Sequence, residues 1–308
     1  MPSAGALICL ASAVAFGAMA IFGKLAYDEG ATVGTLLAVR FAIAAVLFWA
    51  LVAGTGALRR LRTLSRRDLG IALALGAVGY SAQAGAYFAA LKRLDASLLS
   101  VLLYTFPTMV TVAAIALGRE RASRRTAAAL VLASAGLLLV LARANPGALD
   151  PVGALLGLAA AVIYSAYILT SAGVAARVSP LVLSALVCTG AATTLTLAGA
   201  AGGDLHLGDV SATGYGWLAG IAVVSTVGAV TLFFAGLKRV GPSTAAILST
   251  AEPLTTVGLA FLIFGESLSP AQLAGGALVV VAVLVLSAPA GGTDPPLAQP
   301  VPASEMAA

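Results

Sequence analysis

The stretch AALKRLDASLLSVLLYTFPTMVTVAAIALGRE, from Ala89 to Glu120, has a weaker second copy in the same chain, AGLKRVGPSTAAILSTAEPLTTVGLAFLIFGE, from Ala235 to Glu266. Four of the identical pairs are charged residues or prolines, and all align without a gap at an offset of 146 residues: Lys92 with Lys238, Arg93 with Arg239, Pro107 with Pro253 and Glu120 with Glu266. Internal repeats in an apolar chain are typical of transporters, which are often built from two related halves.

The composition is that of a membrane protein. Of its 308 residues, 60% are hydrophobic and 9% are charged, whereas a soluble domain carries roughly 25% charged residues. The net charge of +5 does not indicate nucleic-acid binding, because the basic residues lie in short loops between apolar segments. Both cysteines lie in apolar runs and no metal-ligand spacing is present, so we expect no metal, no other cofactor and no nucleic-acid partner.

Ten segments are apolar enough for membrane helices, which need about 20 residues each. Their predicted bounds are 5–24, 34–53, 70–91, 97–117, 125–142, 151–170, 180–200, 213–236, 243–263 and 270–288. The copies of the repeat lie five segments apart, and because five is odd they must be inverted relative to each other. We therefore predict an all-α membrane protein with ten transmembrane helices in two inverted five-helix repeats, 1–145 and 146–288, and a disordered cytoplasmic tail, 289–308.

The distribution of Lys and Arg predicts the orientation in the membrane. With a cytoplasmic N-terminus, twelve of the 17 basic residues fall in inner loops and four in outer loops, while Arg40 lies within a segment. Both termini are then cytoplasmic. Because Ala and Arg usage is typical of a GC-rich bacterial genome, we expect the protein to lie in the inner (plasma) membrane, with the lipid bilayer and a small-molecule substrate as its partners.

The residues around the matched prolines resemble a known family. Pro107 opens PTMVTVAAIALGRE, followed by RASRRTAAALVLASAGLLLVL, and Pro253 opens PLTTVGLAFLIFGE, followed by SLSPAQLAGGALVVVAVLVL. Together with LAVRFAIAAVLF around Arg40, this pattern is similar to the EamA-type transporters of the drug/metabolite transporter superfamily. The resemblance implies ten helices in two inverted halves around a central cavity. It also implies export of small metabolites, often amino acids, without ATP.

Polar side chains recur at helical spacing within the apolar segments. Tyr80, Gln83 and Tyr87 share one helical face, and similar polar stripes contain Tyr104, Tyr164 and Glu252. A polar stripe on a membrane helix faces protein or water rather than lipid. We therefore predict that these six residues line a substrate cavity suited to small neutral or zwitterionic solutes. The alternative is an aromatic belt at the membrane surface, with Ser and Thr contacts between helices.

Two charged residues lie inside the predicted segments. Glu252 lies near the middle of its segment, where a charge costs on the order of 3 kcal/mol or more. It is either a substrate-facing carboxylate that couples transport to protons, or a structural residue that bonds to neighbouring helices. Arg40 lies near the end of the second segment. It is either a cation of the cavity or, as we favour from its position, a side chain that extends to the outer headgroups.

These patterns favour a secondary transporter that exports small metabolites, amino acids above all, aromatic or otherwise neutral, by alternating access. A passive channel or facilitator for small neutral solutes is the alternative. An intramembrane enzyme would need paired carboxylates, a nucleophile with its base, or metal ligands within the membrane. The segments hold a single central acid and no histidine, so we do not expect an enzyme.

Overall fold

The computed structural model describes residues 4–61, 63–118, 124–142, 150–175, 177–240, 248–249 and 251–287. Helices dominate these ranges and no strand occurs in them, so the predicted all-α class is confirmed. The apolar helices are numbered in chain order: α1 (Ala4–Asp28), α2 (Val33–Gly54), α3 (Arg66–Leu91), α4 (Ala96–Ala116), α5 (Arg124–Ala142), α6 (Pro151–Ala175), α7 (Pro180–Ala201), α8 (Ala212–Gly236), α9 (Ala251–Phe264) and α10 (Pro270–Ser287).

Seven of these helices, α1 to α4 and α6 to α8, are long and apolar enough to cross a membrane. The described apolar stretches of α5, α9 and α10 are shorter than the roughly 20 residues that a membrane crossing needs. The chain is therefore a multi-pass membrane protein. The count of ten crossings in an inverted repeat stays a prediction, and the predicted disordered tail, 289–308, lies outside the described residues.

Helix packing follows a regular scheme. α1 packs along α8 and α3 along α6, while α2 packs along α7 and α5 along α10. α4 contacts both α6 and α9, and α9 contacts α1. The pattern is the same for both halves: if each of α1 to α5 is swapped with its counterpart among α6 to α10, every contact named here becomes itself or another of these contacts. The first and second halves of the chain therefore make equivalent contacts with each other.

α3 and α8 each contain a π-helical segment, Leu75–Tyr80 in α3 and Ile221–Gly228 in α8. The two segments begin 146 residues apart, which is the offset of the sequence repeat. At each, a hydroxyl donates to the carbonyl five residues earlier. Ser81, directly after the segment of α3, donates to Gly76 at 2.8 Å, and Thr226, within the segment of α8, donates to Ile221 at 3.0 Å. Because π-helical segments are often found at functional sites, these two mark the part of the bundle where a site is expected.

Glycines bring α3 and α7 into direct backbone contact. A Cβ atom added to Gly76 would overlap the carbonyl oxygen of Val187, and one added to Gly190 would overlap the carbonyl oxygen of Leu73. Small residues at crossings let membrane helices approach closely, where packing supplies much of their association. This crossing holds the π-helical segment of α3 against the second half of the chain.

Candidate functional site

Six helices, α1, α2, α3, α4, α6 and α9, surround a cavity of about 110 Å³. The cavity is lined by every residue that the sequence singled out, namely Arg40, Tyr80, Gln83, Tyr87, Tyr104, Tyr164 and Glu252. Side chains from distant parts of the chain therefore meet in one place, on helices of both halves. The roles of these residues stay predictions, but their common location is a property of the fold.

The polar stripe of α3 forms one wall of the cavity. Tyr80, Gln83 and Tyr87 point to it together, as helical spacing requires. Tyr80 is held by aromatic neighbours: its ring packs edge-on against Phe41 at 5.2 Å between centroids and stacks on Tyr167 at 5.7 Å. Gln83 is buried. This face is therefore packed against other helices within the protein.

Arg40 lies inside the protein with 2% of its surface exposed. Its Nε donates to the hydroxyl of Thr226 at 3.0 Å, and its guanidinium carbon lies 4.8 Å and 5.3 Å from the ring centroids of Phe41 and Phe88. The prediction that Arg40 extends to the outer headgroups is therefore wrong. Two aromatic faces and a hydroxyl on the π-helical segment of α8 provide partners inside the bundle, which position in the segment could not reveal.

Arg40 also joins the two halves of the chain at equivalent points. Tyr80 and Thr226 lie 146 residues apart, on the π-helical segments of α3 and α8. Thr226 binds Arg40 directly, and Tyr80 lines the same cavity as Arg40. A single cation thus lies between corresponding positions of the repeat.

Glu252 lines the cavity from the first turn of the described helix α9, next to the buried Pro253. The sequence predicts a longer segment, 243–263, with Glu252 near its middle. Most of the residues of this segment before Glu252 lie outside the described part of the chain. Its backbone is fixed by α1: Thr256 donates to the carbonyl of Gly17 at 2.9 Å, and a Cβ atom on Gly17 would lie 2.8 Å from the Glu252 carbonyl oxygen. The close approach of α1 and α9 therefore sets the position of Glu252.

Aromatic rings of α4 and α6 form another part of the cavity wall. Tyr104 lines the cavity, and its hydroxyl donates to the carbonyl of Ser249, before α9, at 2.5 Å. Phe106 packs against Tyr164 at 4.7 Å and against Tyr104 at 5.8 Å. Sequence reasoning missed the apolar lining residues Phe16, Met19, Phe88, Leu103 and Phe106. No local signal distinguishes such residues from lipid-facing ones in an apolar helix.

Comparison with known protein families decides the class of the protein. The profile of the EamA-like transporter family matches residues 3–142 and, a second time, residues 151–288. The chain belongs to the EamA-like transporter family. The two matches together cover almost all of the residues that form the helices and the cavity.

Several relatives of this EamA-like chain carry the name transporter. An uncharacterized transporter of Bacillus subtilis, YcbK, is 28% identical over 279 residues, covering 89% of each chain. An uncharacterized transporter of Archaeoglobus fulgidus is 30% identical over 200 residues, covering 65% of this chain and 70% of the relative. A solved crystal structure superposes with a TM-score of 0.64 at 21% identity, covering 93% of this chain and 97% of the other, which shows the shared fold.

A second polar cluster of this EamA-like protein lies beyond the cavity, where α1 ends and α4 begins. The Glu266 carboxylate accepts from Lys24 Nζ at 2.5 Å, from the backbone N–H groups of Ala96 and Ser97 at 3.2 and 3.1 Å, and from the Ser97 hydroxyl at 3.1 Å. The φ of +66° at Gly265 gives the turn that brings Glu266 there. A residue of the second half thus caps a helix of the first half.

The Glu266 carboxylate is stabilised in its ionised form. Burial alone would raise its pKa, but the Lys24 ammonium and the N–H groups at the start of α4 outweigh burial and lower the pKa overall. Its counterpart in the repeat, Glu120, lies outside the described residues. Of the two matched glutamates of the repeat, Glu266 is therefore the one whose contacts the structure describes.

We expect Glu266→Gln to lower the Tm of the detergent-solubilised protein by about 2–4 °C at pH 7, because capping interactions contribute about 1 kcal/mol. Since the folded-state pKa is lowered, this stabilisation is present above the ordinary pKa of about 4.3 and is lost as the pH falls through and below it. The Tm difference should therefore narrow at pH 3.5 in thermal unfolding scans.

The matched control for Glu266 is Asp95→Asn. The Asp95 carboxylate lies 3.7 Å from Lys24 Nζ but its side chain is 60% exposed, and an exposed pair contributes little. This control should change Tm by less than about 1 °C. The assigned role is contradicted if Glu266→Gln has the wild-type Tm at pH 7, or if its Tm differs from wild type by the same amount at pH 7 and at pH 3.5.

Proposed function

We propose that this EamA-like chain is a secondary transporter, not an enzyme, that exports small metabolites of the amino-acid class through the cavity between its two halves. The observation that carries the proposal is the cavity itself. Arg40 and Glu252 supply opposite charges, and Tyr80, Gln83 and Tyr87 supply a polar aromatic wall. A site of mostly apolar surface with a few oriented polar groups is the usual form of a small-molecule binding site.

Alternating access is the mechanism that we propose for this cavity. Support comes from the equivalent packing of the two halves, α1 along α8 and α3 along α6, and from the π-helical segments at matching positions of α3 and α8. In folds of this kind, rocking of one half against the other exposes a site at their interface to one side of the membrane at a time. The aromatic residues Tyr80, Tyr87, Tyr104 and Tyr164 would contact apolar parts of the substrate, and Gln83 would orient its polar end.

The experiment that tests this function uses the purified full-length chain in liposomes, with a panel of labelled amino acids and with or without a pH gradient. We expect uptake of at least one neutral amino acid above protein-free liposomes, and stimulation of that uptake by the gradient if Glu252 couples transport to protons. Absence of uptake across the whole panel, with correctly folded and inserted protein, contradicts the proposal.

The proposed location is the bacterial inner (plasma) membrane, with both termini in the cytoplasm and ten crossings. In a Cys9→Ala, Cys188→Ala background, we expect Pro146→Cys to react with an impermeant maleimide added to whole cells and Arg62→Cys to react only in inverted vesicles. The expectation follows from the loop charges, which place residues 62 and 146 on opposite sides. Labelling of both from the same side contradicts the inverted ten-helix topology.

A further inference from the structure

The cavity contains two opposite charges that do not neutralise each other. In the part of the chain that the structure describes, no carboxylate lies within 4.0 Å of the Arg40 guanidinium, and no Lys, Arg or His nitrogen lies within 4.0 Å of the Glu252 carboxylate. Both side chains nevertheless line the same cavity. Burying a charge without a counter-charge in an apolar interior is costly, and neither group finds a counter-charge among the described residues, although Arg40 has Thr226 and two aromatic rings as neighbours.

The two charges come from separate walls of the cavity. Arg40 belongs to α2 and is held by Thr226, while Glu252 belongs to α9 and is held through the contact of that helix with Gly17. Hydrogen bonding and aromatic packing therefore fix the guanidinium, and backbone packing fixes the start of α9. The separation of the charges is built into the fold, and a ligand with two charged ends can bridge them.

We propose that Arg40 and Glu252 bind the two ends of a small zwitterion, the carboxylate at Arg40 and the ammonium at Glu252. The ligand class is an α-amino acid with a short side chain. This inference rests on the proposed function and deepens it. Arginine can donate two parallel N–H bonds to one carboxylate, and a carboxylate accepts well from an ammonium group. One ligand thus pairs both charges, which a simple anion, a simple amine or a neutral solute cannot do.

The volume of the cavity limits the side chain of that amino acid. About 110 Å³ is available, whereas an engineered apolar cavity that binds benzene measures about 150 Å³. The rest of the lining is aromatic or aliphatic, with the amide of Gln83 and the hydroxyls of Ser100 and Thr256 as further polar groups. Alanine and residues of similar size fit this space, and the aromatic amino acids that the sequence also allowed are too large for it.

The test measures ligand binding to the detergent-solubilised full-length chain by thermal-shift titration. The probes are L-alanine, L-lactate, which lacks the ammonium group, ethylamine, which lacks the carboxylate, and L-phenylalanine. We expect alanine to bind about tenfold or more tightly than each of the other three, a difference of about 1.4 kcal/mol. Equal binding of lactate, ethylamine and alanine by the wild-type chain overturns the proposal, and equal binding of phenylalanine overturns the size limit.

Two variants assign the two ends of the ligand. Arg40→Gln should weaken binding of alanine and lactate by about tenfold while ethylamine changes less than about twofold, and Glu252→Gln should weaken alanine and ethylamine but not lactate. Arg93→Gln, which removes a half-exposed cation paired with Asp150, is the matched control and should leave all affinities unchanged. Unchanged alanine affinity in both cavity variants overturns the assignment.

Folding defects and failure of the proposed function remain distinguishable from failure of this inference. If a Gln variant does not fold, Arg40→Lys and Glu252→Asp keep the charges, and each should retain alanine binding within about tenfold. If these two charge-keeping variants no longer prefer alanine over lactate and ethylamine, that result counts against the proposal. If labelled phenylalanine is transported but alanine does not bind, the proposed transport function is upheld and the proposal of a small zwitterionic ligand is overturned.

Discussion

Gly76→Ala should abolish accumulation of folded protein, or lower its Tm by many degrees, whereas Gly85→Ala on the same helix should be tolerated. The methyl group at residue 76 would overlap the carbonyl oxygen of Val187 in α7, and backbone cannot rotate out of the way. Overpacking of a core costs about 1–3 kcal/mol and more when the backbone must move. Here α3 would have to leave α7 and disturb the π-helical segment beside the cavity.

Gly85 is the matched control because a Cβ atom there meets nothing within 4 Å. Alanine is favoured over glycine in a helix by about 1 kcal/mol, so this variant should be neutral or slightly stabilised. Size-exclusion profiles and thermal unfolding of both variants in detergent measure the contrast. Equal yield and Tm for the two alanine variants would show that α3 and α7 do not cross as described.

Glu252→Gln should remove the pH dependence of transport. Of the acidic residues in the described ranges, Glu252 is the one that lines the cavity, and glutamine keeps its size without its ability to exchange a proton. At saturating substrate, exchange by the variant should be flat between pH 5 and pH 8, while exchange by the wild type changes with pH. The rate is measured in proteoliposomes with equal pH on both sides.

The control for this experiment is Asp28→Asn, at the C-terminal end of α1 and outside the cavity lining. Its pH profile should match that of the wild type. If an active Glu252→Gln protein keeps the wild-type profile, Glu252 has a structural role and protons enter elsewhere.

The sequence predicted the helices and the polar wall because both depend on local periodicity. Apolar length identifies membrane helices, and the spacing of Tyr80, Gln83 and Tyr87 places three polar side chains on one face whatever that face contacts. The same spacing argument, applied to α4, α6 and α9, found Tyr104, Tyr164 and Glu252, which line the same cavity. The internal repeat indicated that helices of both halves would meet.

Contacts between distant helices were beyond the reach of sequence reasoning. The position of Arg40 in its segment favours the headgroups over the cavity, but its hydrogen-bond partner is Thr226, which lies 186 residues further along the chain. Glu266 was visible as a repeat residue, but its role as a cap for α4 depends on a turn at Gly265 and a contact across 169 residues. The apolar lining, Phe88 and Phe106 among it, carries no local signature at all.

Counterflow in proteoliposomes tests most directly the claim that the cavity between the two halves serves a carrier. Vesicles are loaded with a high concentration of unlabelled L-alanine and diluted into a trace of labelled L-alanine. We predict that the label rises transiently above its equilibrium level, because a site open to one side at a time exchanges internal for external substrate. Entry of the label without any overshoot, as through a channel, or no entry at all would contradict the carrier mechanism.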